Sequence, residues 1–452
     1  MLLEFKAKNY KSFAEEFIFS MIPVPQSDLK YSILKKEIGK KKYNALCSSV
    51  LYGPNAAGKT SVIGAIDVFK SIVLRGNIRN AKNPTRNHAA NLLELIPNIQ
   101  LNEPKPVKFS ISFVEDDLYV RYELEFFQKN ILDEKKDRHI ISEVLYINNE
   151  LVFLRGVNEK NSITFGKLKN IQNYISESYN NESINNSAIN IAQNNLDKEE
   201  LFLTNGFKAI FSPKLVELIL SWFGNKLRIV YNANTIHYRG SQNIDEDNVF
   251  KSETNLNDAI KLFGSDSNAI GFIKNEERSE PQLSSIINKK DMKVLLPSEM
   301  FESYGTLRFI NLFPLIASAL KNGVTLIVDE FDSAIHPMAL MSIINVFHND
   351  EINKNNAQLI FDTHNPIFLN HNIFRRDEIK FVERDEETHY SRLYSLADFG
   401  TSGKDGVRKC DDYMDKYFIG RYGAIKDIDF TSVFEHMLNG SEDGENVEDE
   451  RN

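Results

Sequence analysis

Apolar and polar residues alternate at the start of the chain, with Leu3, Phe5 and Ala7 interleaved with Glu4 and Lys6. The apolar run resumes at Phe17-Ile18-Phe19 after a polar stretch around Ser12, and the pattern predicts a strand pair. A segment rich in lysine follows (Lys30, Lys35, Lys36, Lys40, Lys41 and Lys42) and reads as a loop. Ala45 to Tyr52 predicts a strand that runs directly into Gly53-Pro54-Asn55-Ala56-Ala57-Gly58-Lys59-Thr60. Beyond it Val62, Ile63, Ile66, Phe69, Ile72 and Val73 recur at helical spacing, so the order is strand, glycine loop, helix.

Between Val107 and Phe126 the period changes to two: Val107, Phe109, Ile111 and Phe113 lie on one face, and Leu118, Val120, Tyr122, Leu124 and Phe126 follow the acidic turn Glu115-Asp116-Asp117. This predicts an antiparallel hairpin, continued by Ile141 to Ile147 and Leu151 to Leu154 around an Asn148-Asn149 turn. From Asn170 to Asn195 the chain is rich in Asn and Ser and predicts a weakly packed connection. Leu215, Leu218, Ile219 and Phe223 restore a helical pattern, whereas Ser241 to Lys290 is polar and low in signal. Leu168 to Lys290 therefore reads as an inserted, mostly helical arm. Order returns at Val294, with a helix from Thr306 to Leu320 broken or bent at Pro314 and capped by Gly323. The apolar strands Val324 to Val328 and Gln358 to Phe361 end in Asp329-Glu330 and Asp362-Thr363-His364, as buried parallel strands with polar tips should.

Composition narrows the class without choosing a function. A chain of 452 residues exceeds what one core usually organises, which favours a core domain with a large insertion. No apolar run approaches the roughly 18 residues a membrane span needs, and Met1 to Lys6 lacks the apolar core of a secretory signal, so a cytoplasmic protein is expected. Cys47 and Cys410 are not in metal-ligand spacing and read as reduced thiols. The net charge of −9 is uneven: six acids and one arginine between Glu442 and Arg451 carry −5 of it, leaving a nearly balanced body that can hold local basic patches.

The glycine loop carries the strongest chemistry. Gly53 and Gly58 allow backbone N–H groups to surround phosphates, Lys59 brings a positive charge to the β and γ phosphates, and Thr60 offers a hydroxyl to Mg2+. Pro54, Asn55, Ala56, Ala57 and Ser61 complete that loop. Such a site needs a carboxylate on a neighbouring strand to hold the magnesium shell, and Asp329 has that position; Glu330 beside it suits the alignment of an attacking water. Read alone, the loop is a turn before a helix, the acids are a solvated strand end, and His364 is a polar loop residue. Together they point to ATP hydrolysis, with His364 in reach of the γ-phosphate or its water. Ser303-Tyr304-Gly305-Thr306 precedes a helix and serves either as a plain N-cap or as an anion site facing a partner subunit.

Phe5-x-x-x-Asn9-Tyr10-Lys11-Ser12-Phe13, Gly53-Pro54-Asn55, Ser303-x-Gly305-Thr306, Asp329-Glu330, Ser333-x-x-His336-Pro337 and His364-Asn365 together resemble the ABC-type ATPases related to SMC, RecF and OLD proteins. Glu302 to Thr306 and Gly420-Arg421-Tyr422-Gly423-Ala424-Ile425 look most like the AbiL/RloA-type AAA-family ATPases of phage-defence operons. The resemblance covers residues 1 to 125 and 291 to 425. It implies an α/β P-loop NTPase fold, an ABC-type ATPase head with an antiparallel β subdomain and a mostly helical insertion. The implied division is 1–167 as the first part of the head, 168–290 as the arm, 291–375 as the second part of the head, 376–440 as an extension and 441–452 as an acidic disordered tail. It further implies two heads paired head to tail with ATP and Mg2+ in the seam. Ser303 and Gly305 of one copy would complete the site that Lys59, Thr60, Asp329 and Glu330 build in the other, with Asp332 and Ser333 crossing between sites and His364 acting as the switch. Gln100 is the candidate for the glutamine such ATPases carry between P-loop and signature.

The resemblance implies a defence ATPase that controls a separate, co-encoded effector. Glu383, Asp427 and Asp429 superficially suggest a Toprim metal site, but Arg384 stands where glycine is expected and too little chain follows. The alternative is a DNA-repair ATPase whose phosphate contacts come from Lys30 to Lys42 with Tyr31 and Tyr43, or from Arg75, Arg79, Lys82 and Arg86. A transporter motor suits neither the insertion nor the Asn9 to Phe13 segment, so no membrane partner is expected.

Overall fold

The structure is a computed structural model that describes residues 1–26, 29–83, 85–133, 137–156, 162–168, 173–176, 179, 181–231, 254–273, 282–289, 292–401, 406–408, 411–426 and 428–439. Cys410, Asp427 and the acidic tail lie outside the described residues. Two sheets organise the chain. The first is seven-stranded and antiparallel, ordered Ser162–Phe165, Glu150–Gly156, Arg138–Ile147, Leu118–Gln128, Val107–Glu115, Leu2–Lys8 and Phe17–Ser20. Its inward positions are those of the period-two reading: Phe109, Ile111, Val120, Tyr122, Leu124 and Phe126 are fully or almost fully buried. Asn148 and Asn149 both have positive φ, 53° and 68°, the conformation a two-residue hairpin turn requires.

The second sheet has six strands in the order Leu227–Val230, Thr325–Val328, Gln358–Asp362, Ser48–Tyr52, Ile379–Arg384 and Ser391–Ser395. The first five run parallel and only the last is antiparallel. The strands that end in Gly53, Asp329 and Asp362 are thus neighbours pointing the same way, which brings their C-terminal tips to one edge. The P-loop helix Lys59–Arg75 packs between the two sheets, with Phe69 centred 5.3 Å from Phe109 and 5.8 Å from Tyr122. Helices Tyr304–Asn322 and Pro337–His348 share a second core with Val50, Tyr52, Leu326 and Phe361 on the other face. Buried Gln358 ties the sheets together: its amide accepts from Leu2 N at 2.6 Å and donates to the carbonyl oxygens of Leu2 and Leu46, both at 3.0 Å. The α/β class expected from the sequence is the class of the structure.

Several local expectations are corrected. The lysine-rich loop is a β-hairpin, Ile33–Ile38 with Lys41–Leu46, in which Leu34, Ala45 and Leu46 are buried while Lys35, Lys41 and Lys42 are exposed; three inward side chains suffice to hold a short ribbon that charge density disguises. The weakly packed connection contains a helix, Glu182–Asn195, capped by the Asn181 side chain and seated through the small residues Ala188 and Ala192. Within the segment read as a mostly helical arm, Leu227–Val230 forms the edge of the parallel sheet, and Ala269–Ile273 and Gln282–Lys289 pair with Met292–Pro297 in a three-stranded sheet. Helices Glu182–Asn195, Pro213–Ser221 and Thr254–Phe263 nevertheless supply most of that segment's regular structure among the described residues. Helix Tyr304–Asn322 continues through Pro314: Phe309, Ile310, Leu312, Leu315 and Ile316 are buried around it, and their packing offsets the roughly 3 kcal/mol a helix-interior proline costs. Gly323 is its cap, as expected, with φ 62°. Among the described residues no helix is long and apolar enough to cross a membrane.

Candidate nucleotide site

A polar cavity of about 370 Å³ opens at the strand tips, lined by Lys11, Ser12, Asn55, Ala56, Gly58, Lys59, Thr60, Ser61, Glu330, Asp362, His364 and Arg384. The loop between Gly53 and Gly58 is held in a shape few residues permit. Gly53 has φ 153°, and a β-carbon there would lie 2.2 Å from the Val382 carbonyl oxygen; Gly58 has φ 114° with Ser12, Phe13 and Ser391 packed against it. Ala56 adds a third residue of positive φ, at 63°, to the same loop. Lys59 is buried, and its ammonium donates to the carbonyl oxygens of Gly53 at 2.9 Å and Pro54 at 3.2 Å. Burial lowers its pKa, while the neighbouring Asp362, Asp329 and Glu330 pull it back up.

Three carboxyl groups face that cation. Asp329 follows its strand directly, its N–H bonded to the Val230 carbonyl at 3.0 Å, and its side chain is within hydrogen-bond reach of Thr60 and Asp362. Burial raises its pKa, with Glu330 adding to the effect. Its Oδ1 is buried without a hydrogen-bond partner among the described residues. An orphaned carboxylate oxygen next to a threonine hydroxyl, in a cluster short of positive charge, fits a hard divalent cation such as Mg2+. Asp362 was noted at its strand tip in the sequence without a role. Here it accepts from the Glu330 N–H at 2.6 Å, and burial together with Asp329 pushes its pKa up to about 7.

Glu330 has φ 51°, a conformation that costs a non-glycine residue about 1 kcal/mol or more and here turns its exposed carboxylate toward the cavity. Two contacts enforce the turn: the Asp362 carboxylate on its N–H, and buried Arg308, whose guanidinium donates to the Glu330 carbonyl oxygen. Arg308 comes from helix Tyr304–Asn322, so the signature helix and the acidic turn are mechanically joined within one chain. His364 is exposed at the cavity, and partial desolvation, followed by the charge of Lys59, lowers its pKa, so its imidazole is neutral near pH 7.

Of the expected site residues, Asn55, Ala56, Gly58, Lys59, Thr60, Ser61, Glu330 and His364 line the one cavity, and Gly53, Pro54, Ala57 and Asp329 support it from behind. Ser303 and Gly305 do not line it. Ser303 is an exposed N-cap, accepting from Thr306 N at 3.1 Å, and Gly305 sits where a β-carbon would meet the Ala334 carbonyl oxygen at 2.4 Å. Gln100 is likewise outside the cavity and exposed. Glu383 accepts from Ala424 N at 3.2 Å and so anchors the Gly420 to Ile425 segment. Sequence reading missed Arg308, Asp362 and Arg384; only Asp362, at the tip of an apolar strand beside the P-loop strand, carried a readable signal.

Residues 48–370 match the family described as AAA domain, putative AbiEii toxin, Type IV TA system. Among solved structures the SMC head domain from Thermotoga maritima is similar at 13% identity, with 87% of this chain and 98% of that chain covered and a TM-score of 0.35. No curated protein matches.

Proposed function

The chain belongs to that AAA-domain family, and on this premise we propose that it is an ABC-type ATPase that binds ATP with Mg2+ on its P-loop and hydrolyses it between two copies of itself. The convergence of Lys59, Thr60, Asp329, Glu330, Asp362 and His364 on one polar cavity carries the reading. The loop amides and Lys59 hold the triphosphate; Thr60 and Asp329 hold Mg2+, which when bound neutralises phosphate charge. Glu330 aligns a water and takes up its proton as the water oxygen bonds to the γ-phosphorus and the bond to the β–γ bridging oxygen breaks. His364, neutral, donates to or accepts from that water or the γ-phosphate. In this reading residues 1–167 and 291–375 form the head, 168–290 is inserted between them and 376–440 extends it.

The exposed position of Ser303 at the start of a 19-residue helix, outside the cavity of its own chain, supports a shared site, because a helix N-terminus can bind an anion brought by a second copy. We therefore expect Ser303→Arg to abolish ATP-dependent pairing while changing the affinity of the single chain for ATP less than about twofold. Light scattering with and without ATP, beside an ATP titration, checks this; a variant that still pairs on ATP contradicts the shared site. The family name, with its toxin system, and the late Gly420 to Ile425 motif favour a defence ATPase that controls a co-encoded effector.

One observation favours the DNA reading. Lys36 of the lysine-rich hairpin lines a second cavity, about 400 Å³, with Lys226, Lys321 and Lys354, beside Glu115, which pairs with Lys226 at 3.9 Å, and Asp116. Four ammonium groups from separate elements in one concavity suit a phosphate backbone. If DNA is the partner, duplex DNA accelerates ATP hydrolysis at low salt and the effect disappears by roughly 200 mM salt. Hydrolysis that responds only to a co-encoded protein rules for the defence reading.

A further inference from the structure

The nucleotide cavity has two unlike walls. The P-loop strand Ser48–Tyr52 lies between Gln358–Asp362 on one side and Ile379–Arg384 on the other. Toward Gln358–Asp362 the wall carries Glu330, Asp362 and His364, whereas toward Ile379–Arg384 it carries Arg384, with Lys11 and Ser12 from the N-terminal turn. Arg384 ends its strand, and its Nε donates to the His389 carbonyl oxygen at 2.9 Å across the hairpin that leads to Ser391. It makes no ion pair among the described residues. That hairpin is fastened to the P-loop at its far end: Ser391 N donates to the Ser12 carbonyl at 2.8 Å, and the Ser391 hydroxyl donates to the Ala57 carbonyl at 2.6 Å and pairs with the Ser12 hydroxyl, 2.7 Å away, as acceptor. The guanidinium is thus held over the cavity by a short, anchored connection and lacks the carboxylate that usually accompanies an arginine.

We propose that Arg384 binds the α-phosphate of the nucleotide. The inference rests on the ATP reading above. The γ-phosphate end must lie by Glu330 and His364, where water is activated, so the opposite end of the triphosphate falls on the wall that Arg384 forms. A planar guanidinium can donate two parallel hydrogen bonds to one phosphate, which an ammonium cannot. The α-phosphate is common to ATP and ADP and does not change in the hydrolytic step, so this contact contributes equally to ground state and transition state.

The test is Arg384→Ala and Arg384→Lys beside the parent and Lys59→Ala, with ATP and ADP affinities measured calorimetrically, steady-state hydrolysis followed, and folding checked by circular dichroism. The expected result is that Arg384→Ala weakens ATP and ADP by the same factor, about tenfold, and raises KM with kcat unchanged; Arg384→Lys recovers part of the loss. Affinities within twofold of the parent overturn the inference, and so does a fall in kcat with ADP affinity unchanged, which would put the guanidinium at the γ end. A parent that binds no ATP overturns the cavity reading itself and this inference with it. A parent that binds ATP and loses it in Lys59→Ala leaves that reading intact whatever Arg384 does.

Discussion

Glu330→Gln lowers the rate of phosphate release from ATP by roughly 10²–10³-fold while leaving ATP affinity within a few-fold of the parent. The amide is isosteric, so the left-handed turn at Glu330 and its two backbone anchors, Asp362 on the N–H and Arg308 on the carbonyl, are preserved. What is lost is the acceptor for the water's proton. Because the chemical step stalls after binding, the ATP-bound pair accumulates, and light scattering should show a lasting dimer in Glu330→Gln where the parent shows a transient one. Unchanged hydrolysis would remove Glu330 from its proposed role and transfer attention to His364 or to a residue of the second copy.

Lys59→Ala weakens ATP binding by on the order of 100-fold or more and abolishes turnover. Lys59 is the cation buried at the centre of the loop, facing Asp329, Asp362 and Glu330. Deleting it leaves three carboxyl groups around the place where phosphates must sit, so the penalty includes uncompensated repulsion as well as the lost hydrogen bonds. The fold should survive, because among the described residues the ammonium's hydrogen-bond partners are the carbonyl oxygens of Gly53 and Pro54 in its own loop. Calorimetric titration with ATP, beside a thermal melt of the variant, separates loss of binding from loss of structure. Full affinity in a folded Lys59→Ala chain would place the nucleotide elsewhere.

The readable parts of this site are those where one residue type can do one job at a fixed distance along the chain. Gly53, Gly58, Lys59 and Thr60 lie within eight positions, and Asp329 and His364 stand at the ends of apolar strands; both signals are local. The residues that aim these groups are remote in sequence and ordinary in type. Arg308 reads as one charge in an amphipathic helix, and nothing near it says that its guanidinium reaches the Glu330 carbonyl 22 residues later. Arg384 reads as a strand-end arginine until the strand order puts it beside the P-loop. The fold shows the same division. Period-two stretches such as Leu118–Gln128 announce themselves, whereas Leu227–Val230 is too short to be told from a helix end without its partner Thr325–Val328. Helix Glu182–Asn195 hides because its buried positions are the alanines Ala188 and Ala192, while two of its three isoleucines, Ile184 and Ile191, are exposed among Asn and Ser.

Glu302 illustrates what lies between these extremes. It was read as part of a signature motif, yet its carboxylate gathers the hydroxyls of Ser265, Ser267 and Ser285, binding the start of the signature helix to the three-stranded sheet. Ser285 of strand Gln282–Lys289 is thereby tied to the residue that precedes Ser303.

The structure of Glu330→Gln with ATP and Mg2+ tests the central claim most directly. The account predicts a triphosphate lying along residues 53–60 with its γ-phosphate between Lys59 and residue 330, Mg2+ on Thr60 and Asp329, and Ser303 of a second copy closing over it. Nucleotide bound away from Lys59 and Asp329, or a cavity still empty at saturating ATP, would contradict it.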